Sequence, residues 1–257
     1  EHSSFNGVAR EVTVDTTKQT LVVQDGSTNG GFPLMREDGS NASDAQQNTL
    51  LGSTAGDSFS GTDATYNTLI GYAAGTAITT GDFNVALGKT ALANNTTASS
   101  NTAIGSNSLH TNTTASNNTA VGKDALYANT TGSSNTAVGA ESLDANTTGN
   151  GNTALGISTL GTNTTGSSNF AGGQGALFAN TTASNNTGLG YFALNANTTA
   201  SDNTAVGSSA LKLNTTGAAN VAVGSGALDA NTTASYNTAI GRSVLGANTT
   251  GEMNTAV

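Results

Sequence analysis

From Asn48 onward, small apolar and polar residues return on a fixed schedule. Asparagine recurs at Asn101, Asn118, Asn135, Asn152, Asn169, Asn186, Asn203, Asn220, Asn237 and Asn254, always 17 residues apart, and each opens a near copy of N-T-A-V-G-x-x-A-L-x-A-N-T-T-G-S-x. The frame extends back to Asn84 and Asn67, and to a unit at Asn48 that is two residues longer, giving 12 complete units and the opening of a thirteenth. A period this strict is the signature of a repeat architecture. A 17-residue unit is too short to bury its own apolar face, so the units are expected to stack as turns of a coil. Equivalent residues then lie on neighbouring rungs, Val121 beside Val138 and Leu126 beside Leu143, while Asn at positions 1 and 12 form amide ladders.

Within a unit, positions 2 to 4 read as a short strand, for example Thr119-Ala120-Val121, closed by Gly122 at position 5. One unit carries Phe170 at position 2 and Gly172 at position 4, a large residue arriving where its i+2 neighbour shrinks. Residues two apart on a strand share a face, so this exchange predicts that positions 2 and 4 fill one interior space. Position 3 is never charged, running from Leu50 and Leu69 through Ala103, Ala120 and Ala137 to Gly188 and Ala205. A strand apolar on both sides is buried on both sides, so position 3 is expected to meet a second layer or a neighbouring subunit. Position 9 is Leu in nine successive units, from Leu109 to Leu245, with a small residue at position 8 and usually Ala at position 11. Leu and Ala pointing inward around a variable position 10 fits either a short strand or one helical turn, and so few residues do not separate the two. Asn-Thr-Thr-Gly or Asn-Thr-Thr-Ala then forms the corner back to the next Asn.

Residues 1–47 stand outside this schedule and are read as a separate module before the repeat domain at 48–257. Val12 and Val14 alternate with Glu11 and Thr13, and Leu21-Val22-Val23 follows a polar break and leads into Asp25-Gly26. That pattern predicts a β-hairpin followed by a turn. The segment running from Gly7 through Val12-Thr13-Val14-Asp15-Thr16 and Leu21-Val22-Val23-Gln24-Asp25-Gly26 to Gly30-Gly31-Phe32-Pro33-Leu34 resembles a connecting module common in bacteriophage tail fibres. The repeat itself is similar to the head repeats of trimeric autotransporter adhesins, which carry a comparable x-x-Ala-Ile-Gly strand. It is closer still to the Asn-Thr-Ala-Val-Gly…Ala-Leu…Asn-Thr-Thr-Gly arrays of phage tail fibres and related bacterial surface proteins. The adhesin units are usually shorter than 17 residues. These resemblances imply a parallel β-roll, a homotrimer and a location on a virion or cell surface.

Composition narrows the chemistry. Charged residues make up only 9% and aromatics 5%, which suits neither a conventional globular core nor a disordered polyampholyte. The net charge of −9, with seven basic residues spread along the chain, argues against nucleic-acid binding. With no Cys and only His2 and His110, neither a disulfide framework nor a thiolate site can be built, and no cofactor is expected. No apolar run approaches the roughly 20 residues of a membrane span, and no signal peptide precedes Glu1. The start without Met and the stop in mid-repeat lead us to expect a piece of a longer polypeptide.

Enzyme signals are sparse. Asp144 and Asp229 at position 10 fall five turns apart, and neither a Walker loop nor a G-x-S-x-G elbow is present. Ten Asn-Thr-Thr triplets fit the N-glycosylation pattern, but their period tracks the coil and marks them as corners. In the 19-residue unit, Asp57 and Asp63 flank an expected loop, read as a solvated transition and less favourably as a cation site. Position 10 supplies the candidate surface contacts His110, Tyr127, Phe178 and Lys212. The expected role is therefore a non-enzymatic shaft of a tail fibre or comparable extracellular appendage, assembled with copies of itself. The alternative is an adhesin head that binds a host-surface glycan or protein directly. A third reading is an ice-binding solenoid, in which the row Thr113, Thr130, Thr147 orders water.

Overall fold

The structure is a computed structural model that describes residues 46–59 and 63–257, together with the backbone of three strands nearer the N-terminus: β1 (Val12–Asp15), β2 (Thr20–Val23) and β3 (Phe32–Arg36). Strands β1 and β2 pair antiparallel, as the alternating pattern predicts, with Val12 opposite Val23. The expected Asp25-Gly26 turn lies outside the described residues. A third strand joins on the other edge of β2, and it holds the only proline, Pro33, opposite Val22 beside a register shift at Leu21/Val22. A residue without an N–H is tolerated there because β3 is the edge of the described sheet.

Beyond the hairpin, thirteen short strands from β4 (Thr49–Leu51) to β16 (Thr255–Ala256) form one parallel sheet in strict sequence order. Each contributes positions 2 to 4 of one unit, and the register is uniform: Val121 of β8 (Thr119–Val121) pairs with Val138 of β9 (Thr136–Val138). Among the described residues none is helical. The chain is thus an all-β parallel solenoid, and thirteen rungs at about 4.7 Å make a column of about 56 Å.

The strand faces the opposite way to the expectation drawn from Phe170 and Gly172. Position 3 is fully buried in almost every rung, from Leu69 through Ala120 and Ala137 to Ala239, whereas positions 2 and 4 are half-buried or exposed. Parity explains the correction. Asn at position 1 is buried, so the residue of the same parity, Ala at 3, follows it inward, and 2 and 4 must point out. Nor does another subunit cover position 3, because the Leu at position 9 reaches across the coil to it. A Cβ added at Gly188 would lie 3.3 Å from Leu177 Cγ, which is why the residue here stays small.

The Ala-Leu segment is neither strand nor helical turn. Positions 6 to 11 run as consecutive turns, with left-handed residues at position 7 (Asn107, Asp124, Glu141) and again at the Leu of position 9, φ 51° at both Leu126 and Leu143. Left-handed backbone is costly for a bulky side chain. Here it turns positions 8 and 9 inward together, so that Ala125 and Leu126 are both fully buried, which no extended segment allows. Position 11 is correspondingly pushed outward, and Leu213 there is exposed. Burying one Leu side chain contributes about 2 kcal/mol, enough to offset one such residue.

Glycine at position 5 is required twice over. Gly122 sits at φ 141°, and a Cβ on it would fall 2.4 Å from the carbonyl oxygen of Gly139 on the next rung. The two backbones approach so closely that only hydrogen fits between them.

The Asn ladders are present at both corners and differ in chemistry. At position 12 the side chains bond one another: Asn129 Nδ2 donates to Asn112 Oδ1 at 2.9 Å, and Asn146 Nδ2 to Asn129 Oδ1 at 2.9 Å. At position 1 the recurring donor is the backbone. Asn118 N–H donates to Asn101 Oδ1 at 3.0 Å, and the pattern repeats at Asn135, Asn152, Asn169, Asn186, Asn203, Asn220 and Asn237. Both columns converge on the carbonyl of position 15: Asn135 Nδ2 and Asn146 Nδ2 donate to Gly149 O at 2.8 and 3.1 Å. At position 12 both amide donors of the buried Asn112, Asn129 and Asn146 are engaged, which specifies the corner and leaves these side chains inaccessible in the folded chain.

Candidate functional site

The interior is filled by small polar and apolar side chains, and the charged and aromatic residues stand on the outer wall, chiefly at positions 6, 7, 10, 16 and 17. The four candidate contacts fall in one column, since position 10 of each unit stacks above the last, but they do not form one cluster. His110 and Tyr127 occupy adjacent rungs with rings 5.2 Å apart and 15° from parallel. Three rungs further on, Phe178 lies against the backbone of Gly161. Lys212 lies two rungs past Phe178 and reaches sideways over Phe192 at position 7, its Nζ 5.8 Å from the ring centroid. That distance is within the range of a cation–π attraction.

The His110–Tyr127 pair borders a shallow recess of about 390 Å³ lined by Asn107, Asp124, Tyr127, Glu141 and Asp144. Positions 7 and 10 of successive rungs supply all five, because the left-handed residue at position 7 directs its side chain toward the neighbouring position 10. The recess is held from below by a short relay: Thr90 Oγ1 donates to Asn107 Oδ1 at 2.6 Å, and Asn107 Nδ2 donates to Asp124 Oδ1 at 2.8 Å. Lys123 closes on the other carboxylate oxygen of Asp124 at 2.6 Å. Burial pushes the Asp124 carboxyl up, but hydrogen bonds from Lys123 and Asn107 and the lysine charge together bring it below its usual range. The hydrogen bond to Asp124 in turn raises Lys123. Asp144 differs: burial raises it, and the hydrogen bonds from its own and the Ala145 backbone N–H only partly offset this. The recess therefore offers carboxylate oxygens that can accept from ligand hydroxyls beside an aromatic edge, with the Asp144 carboxyl raised by burial. Among the described residues no group of three or more His, Cys, Asp or Glu is arranged to hold a metal ion. In the 19-residue unit, Asp57 and Asp63 are both exposed, and residues 60–62 between them lie outside the described set.

Three outer features escaped the reading of position 10 alone. Tyr66 and Phe83 at position 17 stack at 5.1 Å and 3°. Tyr191 and Phe192 meet at 4.2 Å. Most extensive is the outward column of position 4 on the sheet, taken above for interior. The hydroxyls of the Thr113 row, by contrast, are already engaged, Thr130 Oγ1 donating to Thr147 O at 3.0 Å and Thr147 Oγ1 to Thr164 O at 3.0 Å. Aromatic side chains recurring one unit apart, as at Tyr66 and Phe83, were the available signal for the first of these features.

No family model matches the chain, and no solved structure matches it. A segment of 38 residues, 15% of the chain, is 63% identical to a tail fiber receptor-binding protein of Bordetella phage BPP-1. The chain spans about a tenth of the length of that relative.

Proposed function

We propose that this chain is a shaft segment of a phage tail fibre, carrying attachment to a host surface without chemistry of its own. The observation that carries this reading is the unbroken register of thirteen rungs, which turns a low-complexity sequence into a column of about 56 Å with no interior left for a substrate. The short homology to a phage tail-fibre protein supports the same setting and a location on the virion. A column joined by backbone hydrogen bonds along its axis resists extension, because every rung shares load with the next. With few cations and an uncharged sheet face, it is expected to engage neither nucleic acid nor a bilayer interior.

A second reading, direct binding of a host-surface glycan or protein, is favoured by two observations: the recess beside Tyr127 and the receptor-binding description of the relative. Sedimentation of the purified chain with envelopes of candidate bacterial hosts separates the two. A shaft stays in the supernatant at micromolar concentration, and co-sedimentation that is lost in Tyr127→Ser would replace the first reading by the second. Incubation with host polysaccharide should release no new reducing ends, and their release would overturn the non-enzymatic reading.

A further inference from the structure

Asparagine followed by glycine occurs three times in the chain, at Asn6-Gly7, Asn29-Gly30 and Asn150-Gly151, and only the last lies in the repeat. The pairing has its own chemistry. The nitrogen of the following residue can attack the asparagine side-chain carbonyl and close a cyclic imide, and a glycine, having no Cβ, leaves that approach open. Ladder asparagines are shielded twice over. Asn118, Asn135 and Asn146 are fully buried, and each precedes a threonine, whose branched Cβ crowds the attacking nitrogen. Asn150 is exposed at position 16, where Ser133 and Ser167 stand on the neighbouring rungs, and Gly151 is exposed beside it. A Cβ built on Gly151 would meet nothing within 4 Å, so the ring has room to form.

The coil opposes that closure. Asn150 Oδ1 accepts from the Ser133 backbone N–H at 2.8 Å, and Asn150 Nδ2 donates to Thr148 O at 3.0 Å, so the amide is pinned at both ends. The Gly151 N–H, which must lose its proton before the nitrogen can attack, donates to Ser133 O at 3.1 Å. These contacts with the preceding rung have to part first. Gly151 N then gives its proton to solvent hydroxide and bonds to Asn150 Cγ, while the Cγ–Nδ2 bond breaks and Nδ2 leaves as ammonia with a proton from water. Water opens the imide on one of two sides. Cleavage at Cγ leaves aspartate, which position 16 accepts elsewhere: Asp82 Oδ1 takes the Thr65 N–H at 2.7 Å and the Thr65 hydroxyl at 2.8 Å. Cleavage at the main-chain carbonyl leaves isoaspartate. That product adds a carbon to the backbone just before Asn152, whose N–H donates to Asn135 Oδ1 at 2.9 Å. The first product fits the corner, and the second displaces a ladder residue.

We infer that Asn150-Gly151 is a self-modification site of the column, closed while the corner joining the rungs of β8 and β9 holds and reactive when that corner opens. This goes beyond the shaft reading and does not depend on it. Peptide mapping by mass spectrometry of the chain kept in mildly alkaline buffer is the test. Asn150 should gain about one mass unit ahead of every other asparagine of the repeat, in two chromatographic forms, of which the isoaspartate form accepts a methyl group from isoaspartyl methyltransferase. Unfolding in urea should speed the change by about tenfold or more, and Leu143→Ala, which loosens the same rung, should speed it in the folded chain. Gly151→Ser should slow it by about tenfold in urea. The fold accommodates that variant, because Ser134 and Ser168 hold the same position on the neighbouring rungs at φ 60° and 58°. Asn150→Asp should melt with the wild type, and the isoaspartate fraction should melt below both. Equal rates in the folded and urea-unfolded chain, earlier conversion of the exposed Asn117 or Asn185, or an unchanged rate in Gly151→Ser would each overturn the inference.

Discussion

The inner and outer walls of this solenoid share one backbone and one period, yet they tolerate change very differently. Along the inner wall, Asn112, Asn129, Asn146 and Asn163 repeat without variation, as do the glycines of position 5. Along the outer wall, position 10 passes through His110, Tyr127, Asp144, Phe178 and Lys212. The difference follows from what each side chain touches. An inner group contacts its own equivalent about 4.7 Å above and below, so a change on one rung leaves partners unsatisfied on two. An outer group contacts water and loosely stacked neighbours. Sequence identity between units thus records mutual contact and not chemistry.

Substitutions can break this contrast most severely at the glycine column. Gly139→Ala adds a Cβ 2.4 Å from the Gly156 oxygen at φ 137°, and a loss of about 4 kcal/mol is expected. Because rungs couple only to their neighbours, calorimetry should resolve the melt into two steps as the stack divides at that rung. Leu143→Ala, which empties a fully buried site, should cost about 3 kcal/mol in denaturant unfolding. Asn146→Ala removes the donor to Asn129 and Gly149 and the acceptor for Asn163, for an expected loss of about 2 to 3 kcal/mol by the same measurement.

On the outer wall the scale falls. Tyr127→Ser should shift the unfolding midpoint by no more than about 0.5 kcal/mol, and a shift as large as that of Leu143→Ala would erase the distinction between the walls. The smallest effect is pH-dependent. Burial raises the Asp144 carboxyl in the folded state, so the folded chain favours its protonated form and loses that advantage as pH rises through the raised value. Asp144→Asn should therefore stabilise the chain slightly at neutral pH, by less than about 1 kcal/mol after solvent screening, with the gain vanishing in acid. Melting curves across that range test the sign.

Much of the fold was legible because the period is unambiguous. Stacked rungs, the pairing of Val121 with Val138, the Asn ladders and the inward Leu126 and Leu143 all follow from a 17-residue repeat that cannot bury itself. The conformation of positions 6 to 11 was not legible, since left-handed backbone at Leu is disfavoured locally and arises only because two consecutive side chains must enter the coil. The outer recess was legible only in part: Tyr127, His110 and Asp144 stood out at the variable position 10, but Asp124 and Glu141 come from position 7, which no periodic pattern placed beside position 10.

The sequence by itself determined that this is a wound column of repeated rungs, because no other arrangement buries so many equivalent small residues. Which face of the strand lies inside was decided by the tertiary structure alone. Alternation permits either parity, and a volume exchange at Phe170 and Gly172 looks the same whether it fills a core or an outer surface. The choice fell to Asn at position 1, whose amide finds its partners only inside the corner, and a single residue of parity then carried Ala inward and Val outward on every rung.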